Sequence, residues 1–245
     1  MANGLHMLNY RKILFTGGSG RFGKVFRKIN TSKKYLYPSK KKFNIENLKN
    51  VQTYLKKHKP DLLIHCAALS RPMEVHEKHI SKSIKSNIIG TSNLTIACSE
   101  LNIKLIYFST NYVYPGVKGN YSEKDNLFPI NNYAWSKLGG ECAVKLYKNS
   151  LILRICMTEK PFIHKYAFKN FQTNFIFHEE VAKFLPKLFK LDGVINVGGP
   201  TQSVFNFAKK YNSKIKSTNI KIKKNKINRN KCSMNIKKLT KILND

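Results

Sequence analysis

Short apolar runs alternate with amphipathic segments along the chain as far as residue 157. The apolar runs predict buried strands, and segments in which apolar residues recur every three or four positions predict helices. The predicted strands are 13–15, 34–38, 61–69, 103–110 and 150–156. The predicted helices follow the glycines near residue 20 and cover 44–60, 80–102 and 133–146. This alternation indicates βαβ units, so we predict an α/β fold with a doubly wound parallel Rossmann sheet.

The pattern becomes looser beyond residue 157. Helices are predicted at 178–191, 203–211 and 235–243, a strand at 193–199, and the basic segment 219–231 is ambiguous. We therefore predict three parts, with some elements of the last part returning to the Rossmann core. They are an N-terminal tail (1–10), a Rossmann NAD(P)-binding domain (11–157) and a small, reduced C-terminal substrate-binding lobe (158–245).

A glycine cluster follows the first predicted strand, in the segment TGGSGRFG (16–23). Gly17 allows a tight turn, Gly20 lets the backbone approach a diphosphate, and Gly23 lets the helix pack close to the strand. The amide groups at the start of the helix would then face the phosphates. An ordinary turn between strand and helix is the alternative. The candidate cofactor-binding residues of this turn are Gly17, Ser19, Gly20, Arg21, Phe22 and Gly23.

Five motifs in this order resemble those of the extended short-chain dehydrogenase/reductases, the NAD-dependent epimerase/dehydratase superfamily. After TGGSGRFG come HCAA (65–68), NIIGTSNL (87–94), STNYVYPG (109–116) and YAWSK (133–137). Within the superfamily, the chain is most similar to the dTDP-4-dehydrorhamnose reductase branch. The resemblance implies a reductase of a nucleotide-linked 4-keto-6-deoxysugar, with roles in deoxysugar and polysaccharide synthesis. The sequence differs from the branch at Asn111, where the branch carries Asp, and at Ala134 and Trp135.

Tyr133 and Lys137 are four residues apart on a predicted helix, so their side chains share one face. A nearby cation favours the phenolate, and Lys137 together with an oxidised nicotinamide ring would bring the Tyr133 pKa from about 10 to about 7. We expect Tyr133 to be the proton donor, Thr110 to orient the substrate oxygen and, by the resemblance, Lys137 to hold the nicotinamide ribose. The resemblance adds further residues beside the cofactor: Asn44, Ile45, Ala67, Ala68, Asn87 and Ser109.

The end of the second strand bears on the choice of cofactor. An acidic residue there would favour NAD, whereas YPSKKK (37–42) offers Ser39 and Lys40 and no carboxylate. We therefore expect NADP(H) to be preferred, with NAD(H) as the alternative. No zinc-ribbon spacing or HExxH motif is present, so no metal is expected.

Four residues are predicted to contact the substrate: Ser70, Arg71, Asn111 and Tyr112. Asn111 and Tyr112 also stand where the dehydratases of the superfamily carry Asp-Glu, which argues against dehydration. An epimerase, or another sugar-nucleotide oxidoreductase, stays open as an alternative. His164 and His178 are the candidate bases for epimerisation, although each is expected to be a surface or loop histidine. Arg154 is either a residue of the family's site or half of a structural ion pair.

The formal net charge is +32, with lysines spread along the whole chain. Aromatic residues are not interleaved with the lysine runs as they are in base-stacking surfaces, so nucleic acid is not the expected partner. A non-catalytic, NADP-sensing or polyanion-binding Rossmann protein remains the alternative of another class. No apolar run approaches the roughly 18 residues that span a bilayer, and no stretch of signal-peptide type occurs. We expect a cytoplasmic protein without membrane contact, and a homodimer is compatible with the sequence.

Overall fold

A computed structural model of the 245-residue chain describes residues 10–220 and 227–245. The predicted tail lies outside the described residues except for Tyr10. The middle of the basic segment 219–231 lies outside them as well.

The first part of the chain alternates strands and helices as the sequence predicts. In chain order, these elements are β1 (Ile13–Thr16), α1 (Arg21–Ile29), β2 (Tyr35–Leu36), α2 (Leu48–His58), β3 (Leu62–His65), α3 (Val75–Lys78), α4 (Ile80–Ser83), α5 (Gly90–Glu100), β4 (Lys104–Thr110), α6 (Asn132–Lys145) and β5 (Ser150–Ile155).

The later part of the chain consists mostly of shorter elements. These are β6 (Met157–Thr158), β7 (Tyr166–Phe168), β8 (Gln172–Thr173), β9 (Ile176–Phe177), α7 (His178–Phe184), β10 (Gly193–Val197), β11 (Gln202–Ser203), α8 (Val204–Lys209), β12 (Lys216–Thr218) and α9 (Lys237–Asn244).

The central sheet is parallel throughout, with the strand order β10-β5-β4-β3-β1-β2. The order reverses at β1, because the chain places β2 on one side of β1 and then β3 on the other side. In open parallel sheets, ligands bind outside the carboxyl ends of the strands at such a point. The predicted doubly wound α/β fold is confirmed.

Two hydrophobic cores cover the two faces of the sheet, because successive residues of a strand point to opposite sides. Ile13 and Phe15 of β1 lie in the core beneath α1, α7 and α9. Leu14, between them, lies in the core beneath α2, α5 and α6. Both cores are made of fully buried aliphatic and aromatic side chains.

Several elements after residue 157 belong to the main core. Strand β10 extends the sheet beside β5, helix α7 packs on α1, and α9 packs on β10. Strands β7, β8, β11 and β12 and helix α8 form a smaller unit. Its core contains the side chains of Phe162, Phe171, Phe177 and Phe207. The domain boundary at residue 157 stays a prediction.

Several predicted helices are shorter than the sequence pattern suggested, and two of them have a clear local cause. The helix predicted from residue 44 begins at Leu48, because the Asn47 side chain accepts a hydrogen bond from the Asn50 N–H and caps the helix there. The helix predicted for 178–191 ends at Phe184 and continues as the 3-10 turn Leu185–Leu188. Pro186 in this turn has no N–H to donate to a preceding carbonyl group.

The long helix predicted for 80–102 contains a π-helical segment, Ile84–Ile89, between α4 and α5. A π-helical turn places one extra residue in the helix and shifts the direction of the side chains beyond it. Within residues 10–220 and 227–245, no helix has the length and apolar character needed to cross a membrane.

Candidate active site

A cavity of about 780 Å³ opens at the carboxyl ends of β1, β3 and β4, beside the point where the strand order reverses. Its lining comes from the glycine turn, the loops after β2 and β3, the end of β4, helix α6 and the loop after β6. This volume is within the range of ligand-binding sites.

The glycine turn between β1 and α1 requires glycine at two positions for steric reasons. Gly17 has a φ angle of +76°, and a Cβ atom there would lie 2.8 Å from the Ala67 backbone nitrogen. A Cβ atom at Gly23 would lie 2.3 Å from the Gly17 carbonyl oxygen. Because these side chains are missing, the turn can pack against the loop after β3, and the first turn of α1 can pack against the glycine turn.

A buried hydrogen-bond chain centred on His65 joins the glycine turn to the loop after β3. The Thr91 hydroxyl donates to the Asn87 carbonyl oxygen over 2.8 Å, so Thr91 accepts the N–H of His65 Nε2 over 3.0 Å. The Nδ1 atom of His65 then accepts the Thr16 hydroxyl over 2.9 Å, and Thr16 accepts the Ala67 N–H. Burial holds the His65 pKa well below its usual value, which fits this neutral form.

Thr110, Tyr133 and Lys137 converge on the inner part of the cavity. Thr110 is the last residue of β4, and Tyr133 lies in the first turn of α6. The Asn131 side chain caps α6 by accepting the Ala134 N–H over 2.8 Å. Lys137 is 2% exposed, and its Nζ atom lies 4.2 Å from the centroid of the Tyr107 ring.

Burial dominates the acid–base behaviour of this group. It raises the pKa of the Tyr133 hydroxyl to about 12, with a smaller contribution from Cys66, while a hydrogen bond with Thr110 and the charges of Arg71 and Arg21 lower that pKa. Burial also lowers the pKa of the Lys137 ammonium from 10.5 to about 7. Burial therefore favours the protonated form of Tyr133. The expected pKa of about 7 includes the charge of an oxidised nicotinamide ring and stays a prediction.

Glu141 links the end of β4 to β5 close to Thr110. One of its carboxylate oxygens accepts the Ser109 hydroxyl over 2.8 Å. The other pairs with the Arg154 guanidinium, whose Nε lies 3.0 Å away. Arg154 also donates to the Tyr114 hydroxyl over 2.8 Å. Of the two open interpretations of Arg154, the structural ion pair is the one observed, and it fixes the strand end that carries Thr110.

Comparison with known proteins assigns the chain to a family. The profile of the family described as the RmlD substrate binding domain matches residues 11–177. The chain belongs to the RmlD substrate-binding domain family. The predicted resemblance to the dTDP-4-dehydrorhamnose reductase branch of the extended short-chain dehydrogenase/reductases is thereby confirmed.

Curated relatives of this RmlD-family chain include two kinds of protein. The Bos taurus methionine adenosyltransferase 2 subunit beta is 29% identical over 143 residues, which are 55% of this chain and 42% of that protein. The Aggregatibacter actinomycetemcomitans dTDP-4-dehydrorhamnose reductase is 29% identical over 199 residues, which are 78% of this chain and 63% of that protein. The chain thus matches less than two thirds of the length of either relative.

A solved structure has the same fold over nearly the whole chain. The dTDP-4-dehydrorhamnose reductase of Bacillus anthracis, in complex with NADP, superposes with a TM-score of 0.81 at 24% identity. The match covers 96% of this chain and 93% of that one.

Most of the site residues predicted for this RmlD-family chain line the cavity together. They are Gly17, Ser19, Gly20, Arg21, Phe22, Gly23, Lys40, Ile45, Ala67, Ala68, Ser70, Arg71, Ser109, Thr110, Asn111, Tyr112, Tyr133 and Lys137. Three predicted cofactor residues do not line it: Ser39, Asn44 and Asn87.

Each of these three residues has a local structural partner instead. Ser39 lies in a turn in which its carbonyl oxygen accepts the N–H groups of Lys42 and Phe43. The Asn44 side chain accepts the Glu46 N–H over 3.1 Å. The Asn87 amide exchanges hydrogen bonds with the Leu69 backbone and donates to Ser136. Asn87 thus fixes the loop after β3 from outside the cavity.

Asn111 reaches the cavity but uses its side-chain amide to hold the C-terminal part of the chain. Its Nδ2 atom donates to Thr173 Oγ1 over 3.3 Å and to the Cys232 carbonyl oxygen over 3.2 Å. The ionised carboxylate of Asp, which other members of the branch carry, could only accept hydrogen bonds here. Asn at position 111, in place of Asp, therefore provides the hydrogen-bond donor that the Cys232 carbonyl oxygen accepts.

The cavity lining includes residues that the sequence did not assign to the cofactor or substrate site, and three of them bear on its charge: Glu46, Glu159 and His178. Glu46 pairs with Lys40 over 2.9 Å, so a carboxylate does lie beside the end of β2. The expectation that His178 lies on the surface or in a loop is wrong, because it begins α7, is 6% exposed and packs edge-on against Phe22. His164 is exposed, as expected. None of the three missed residues lies in a motif, and each reaches the cavity only through folding.

Proposed function

We propose that this chain is an NAD(P)H-dependent reductase of a nucleotide-linked 4-keto-6-deoxysugar, similar to dTDP-4-dehydrorhamnose reductases. The observation that carries the proposal is the convergence of Thr110, Tyr133 and Lys137 beside a glycine turn in one cavity. The start of α1 directly after this turn would offer its first amide groups to a dinucleotide diphosphate. The name and bound NADP of the similar Bacillus anthracis protein support the same reaction class.

The chain's own residues would manage the proton in this reaction. Bound reduced nicotinamide supplies the hydride to the keto carbon. Tyr133, held protonated by burial, donates its proton to the oxygen of that carbonyl as negative charge develops there. Thr110, at the end of β4, orients the oxygen, and Lys137, one turn along α6, stabilises the phenolate left on Tyr133 and holds the nicotinamide ribose.

NADP(H) is the cofactor that we propose, with NAD(H) as the alternative. Lys40 lines the outer cavity and its charge suits a 2′-phosphate, while the pairing with Glu46 reduces that charge. Glu46 itself is the type of residue that binds the ribose 2′-hydroxyl of NAD. These two side chains therefore compete in setting the preference.

Oxidation of NADPH by a nucleotide-linked 4-keto-6-deoxysugar tests the proposed reaction. The purified chain would be titrated with NADPH and NADH, and loss of reduced-cofactor absorbance would then be followed with a panel of these sugars. Turnover with one of them would support the reductase. Isomerisation of the sugar without net cofactor oxidation would favour the epimerase alternative.

A subunit of a methionine adenosyltransferase is the second candidate, because methionine adenosyltransferase 2 subunit beta is among the curated relatives. A chain of this kind would bind the cofactor without sugar turnover. Direct binding of the purified chain to a catalytic methionine adenosyltransferase subunit, combined with no turnover on the sugar panel, would favour this candidate over the reductase.

We also propose that the chain forms a homodimer in the cytoplasm. Large apolar side chains are exposed on α5, on the π-helical turn, on α6 and directly after α6: Ile84, Ile89, Ile96, Trp135 and Leu146. A second copy would bury them. Analytical ultracentrifugation of the wild type and of Ile96→Lys tests this, since a monomeric wild type contradicts the proposal.

A further inference from the structure

One carboxylate joins two arginines that come from different walls of the cavity. Glu159 follows β6, and its Oε1 lies 3.0 Å from Nε of Arg21, the first residue of α1. Its Oε2 lies 3.3 Å from Nη1 of Arg71, in the loop after β3. All three side chains line the cavity, so Glu159 spans the opening between the glycine turn and the loop that leads to the substrate side.

The two arginines are placed to bind phosphate oxygens. Arg21 stands beside Gly20, where the first amides of α1 and the helix dipole favour an anion. Arg71 lies close enough to Tyr133 and Tyr112 for its charge to lower the pKa of both hydroxyls. The guanidinium group favours paired hydrogen bonds to carboxylate and phosphate alike, so a diphosphate and Glu159 would compete for the same donors.

Few acidic side chains lie around the Glu159 bridge. In the part of the chain that the structure describes, the acidic side chains lining the cavity are Glu46 and Glu159, and Glu46 pairs with Lys40. His178 also lines the cavity, and burial lowers its pKa against the opposing charges of Glu159 and Glu179.

We propose that Glu159 is an internal counter-ion that a nucleotide diphosphate must displace from Arg21 and Arg71, and that it thereby sets the affinity and selectivity of the cavity for diphosphate ligands. This inference rests on the proposed function, in which cofactor and substrate both carry such a group. Part-exposed ion pairs are worth little each, so their release should change affinity by roughly two- to tenfold.

The test compares wild type with Glu159→Gln, Glu159→Asp, Arg71→Gln and the double variant Arg71→Gln/Glu159→Gln. Glu100→Gln is the matched control, because it removes the same charge from an exposed site at the end of α5. Calorimetry would measure the Kd of three probes: NADPH, dTDP and inorganic diphosphate. The last probe needs neither a nicotinamide nor a sugar site.

We expect Glu159→Gln to bind at least one of the probes roughly two- to tenfold more tightly than wild type, with Glu100→Gln unchanged. Glu159→Asp keeps the charge but is one methylene too short to span both arginines, so it should also bind more tightly. The gain in affinity should be smaller in the Arg71→Gln background, because the effects of substitutions at two contacting residues are not additive. A gain confined to NADPH identifies the cofactor's diphosphate as the competitor, and one confined to dTDP identifies the substrate's.

Three results would overturn the inference. The first is an unchanged or weaker affinity of Glu159→Gln for all three probes. The second is a wild-type Kd in Glu159→Asp beside a gain in Glu159→Gln, which would assign the effect to net charge alone. The third is an undiminished gain in the Arg71→Gln background. If wild type binds neither NADPH nor NADH, the proposed function fails, while inorganic diphosphate still decides the role of Glu159.

Discussion

The carboxylate of Glu141 and the guanidinium of Arg154 form a buried ion pair between α6 and β5, with exposures of 2% and 4%. The same carboxylate accepts the hydroxyl of Ser109, the neighbour of Thr110. Through these two contacts, Glu141 couples the helix that carries Tyr133 both to β5 and to β4, the strand that carries Thr110.

Glu141→Gln should lower the free energy of unfolding by about 3–5 kcal/mol, because it leaves the buried Arg154 charge uncompensated. Urea unfolding at neutral pH measures this change. Ser109→Ala, which removes only the second hydrogen bond of Glu141, is the control and should cost about 1 kcal/mol. Equal, small effects of the two variants would show that the ion pair contributes little.

Asn111→Asp should destabilise the contact between the strand end and the C-terminal part of the chain. An ionised carboxylate cannot donate to the Cys232 carbonyl oxygen that Asn111 now contacts, and an unpaired buried polar group costs about 1–3 kcal/mol. Thermal or urea unfolding would detect the loss. The same change at exposed Asn126 should leave stability within about 0.5 kcal/mol, and a similar result at both positions would contradict the assignment.

Lys137→Met should stabilise the fold, and the gain should decrease as the pH rises. Burial lowers the Lys137 pKa from 10.5 to about 7. Below pH 7 both folded and unfolded chains hold the proton, so the full cost of the buried charge is present. Between pH 7 and 10.5 the unfolded chain binds more protons, and wild-type stability recovers.

Unfolding of Lys137→Met and wild type at pH 6 and pH 9 measures this difference. We expect a gain of roughly 2 kcal/mol at pH 6 and a clearly smaller one at pH 9. Lys145→Met, at an exposed position near the end of the same helix, should show no such dependence. A gain that is equal at both pH values would mean that Lys137 is not buried as a charge.

Tyr133→Phe should reduce turnover by roughly 10²–10⁴, since the general acid is removed, while the Kd for NADPH stays near the wild-type value. Stopped-flow assays and fluorescence titration measure the two quantities. Tyr147→Phe removes a hydroxyl that contacts the Ile103 carbonyl oxygen, and it should leave turnover almost unchanged. Equal turnover in Tyr133→Phe and wild type would remove Tyr133 from the mechanism.

Lys40→Ala and Glu46→Gln should move cofactor preference in opposite directions. Without Lys40, the ratio of NADPH to NADH affinity should fall by roughly three- to tenfold, because an exposed charge contact is worth about 1 kcal/mol. Without the Glu46 charge, Lys40 is released from its ion pair and the ratio should rise. If the NADPH-to-NADH affinity ratio changes in the same direction in both variants, or in neither, the 2′-phosphate does not bind beside Lys40 and Glu46.

Local sequence was enough to predict the glycine turn, the alternation of buried strands with helices, and the pairing of Tyr133 with Lys137. Each depends on residues close together in the chain. A buried parallel strand appears as an apolar run, and the spacing of Tyr133 and Lys137 fixes their common helical face. The parallel sheet follows from the βαβ units, whereas the reversal of strand order at β1 is seen only in the structure.

Tertiary structure decided which other side chains share the cavity and which protonation states they adopt. Glu159 meets Arg21 across 138 positions of sequence and meets Arg71 across 88, and no local pattern encodes those distances. Tyr133 and Lys137 change their pKa values chiefly through burial, which exists only after packing is complete. Local sequence thus specified the elements and the common helical face of Tyr133 and Lys137. Long-range packing set their desolvation and the counter-ions of the cavity, because both depend on residues that only folding brings together.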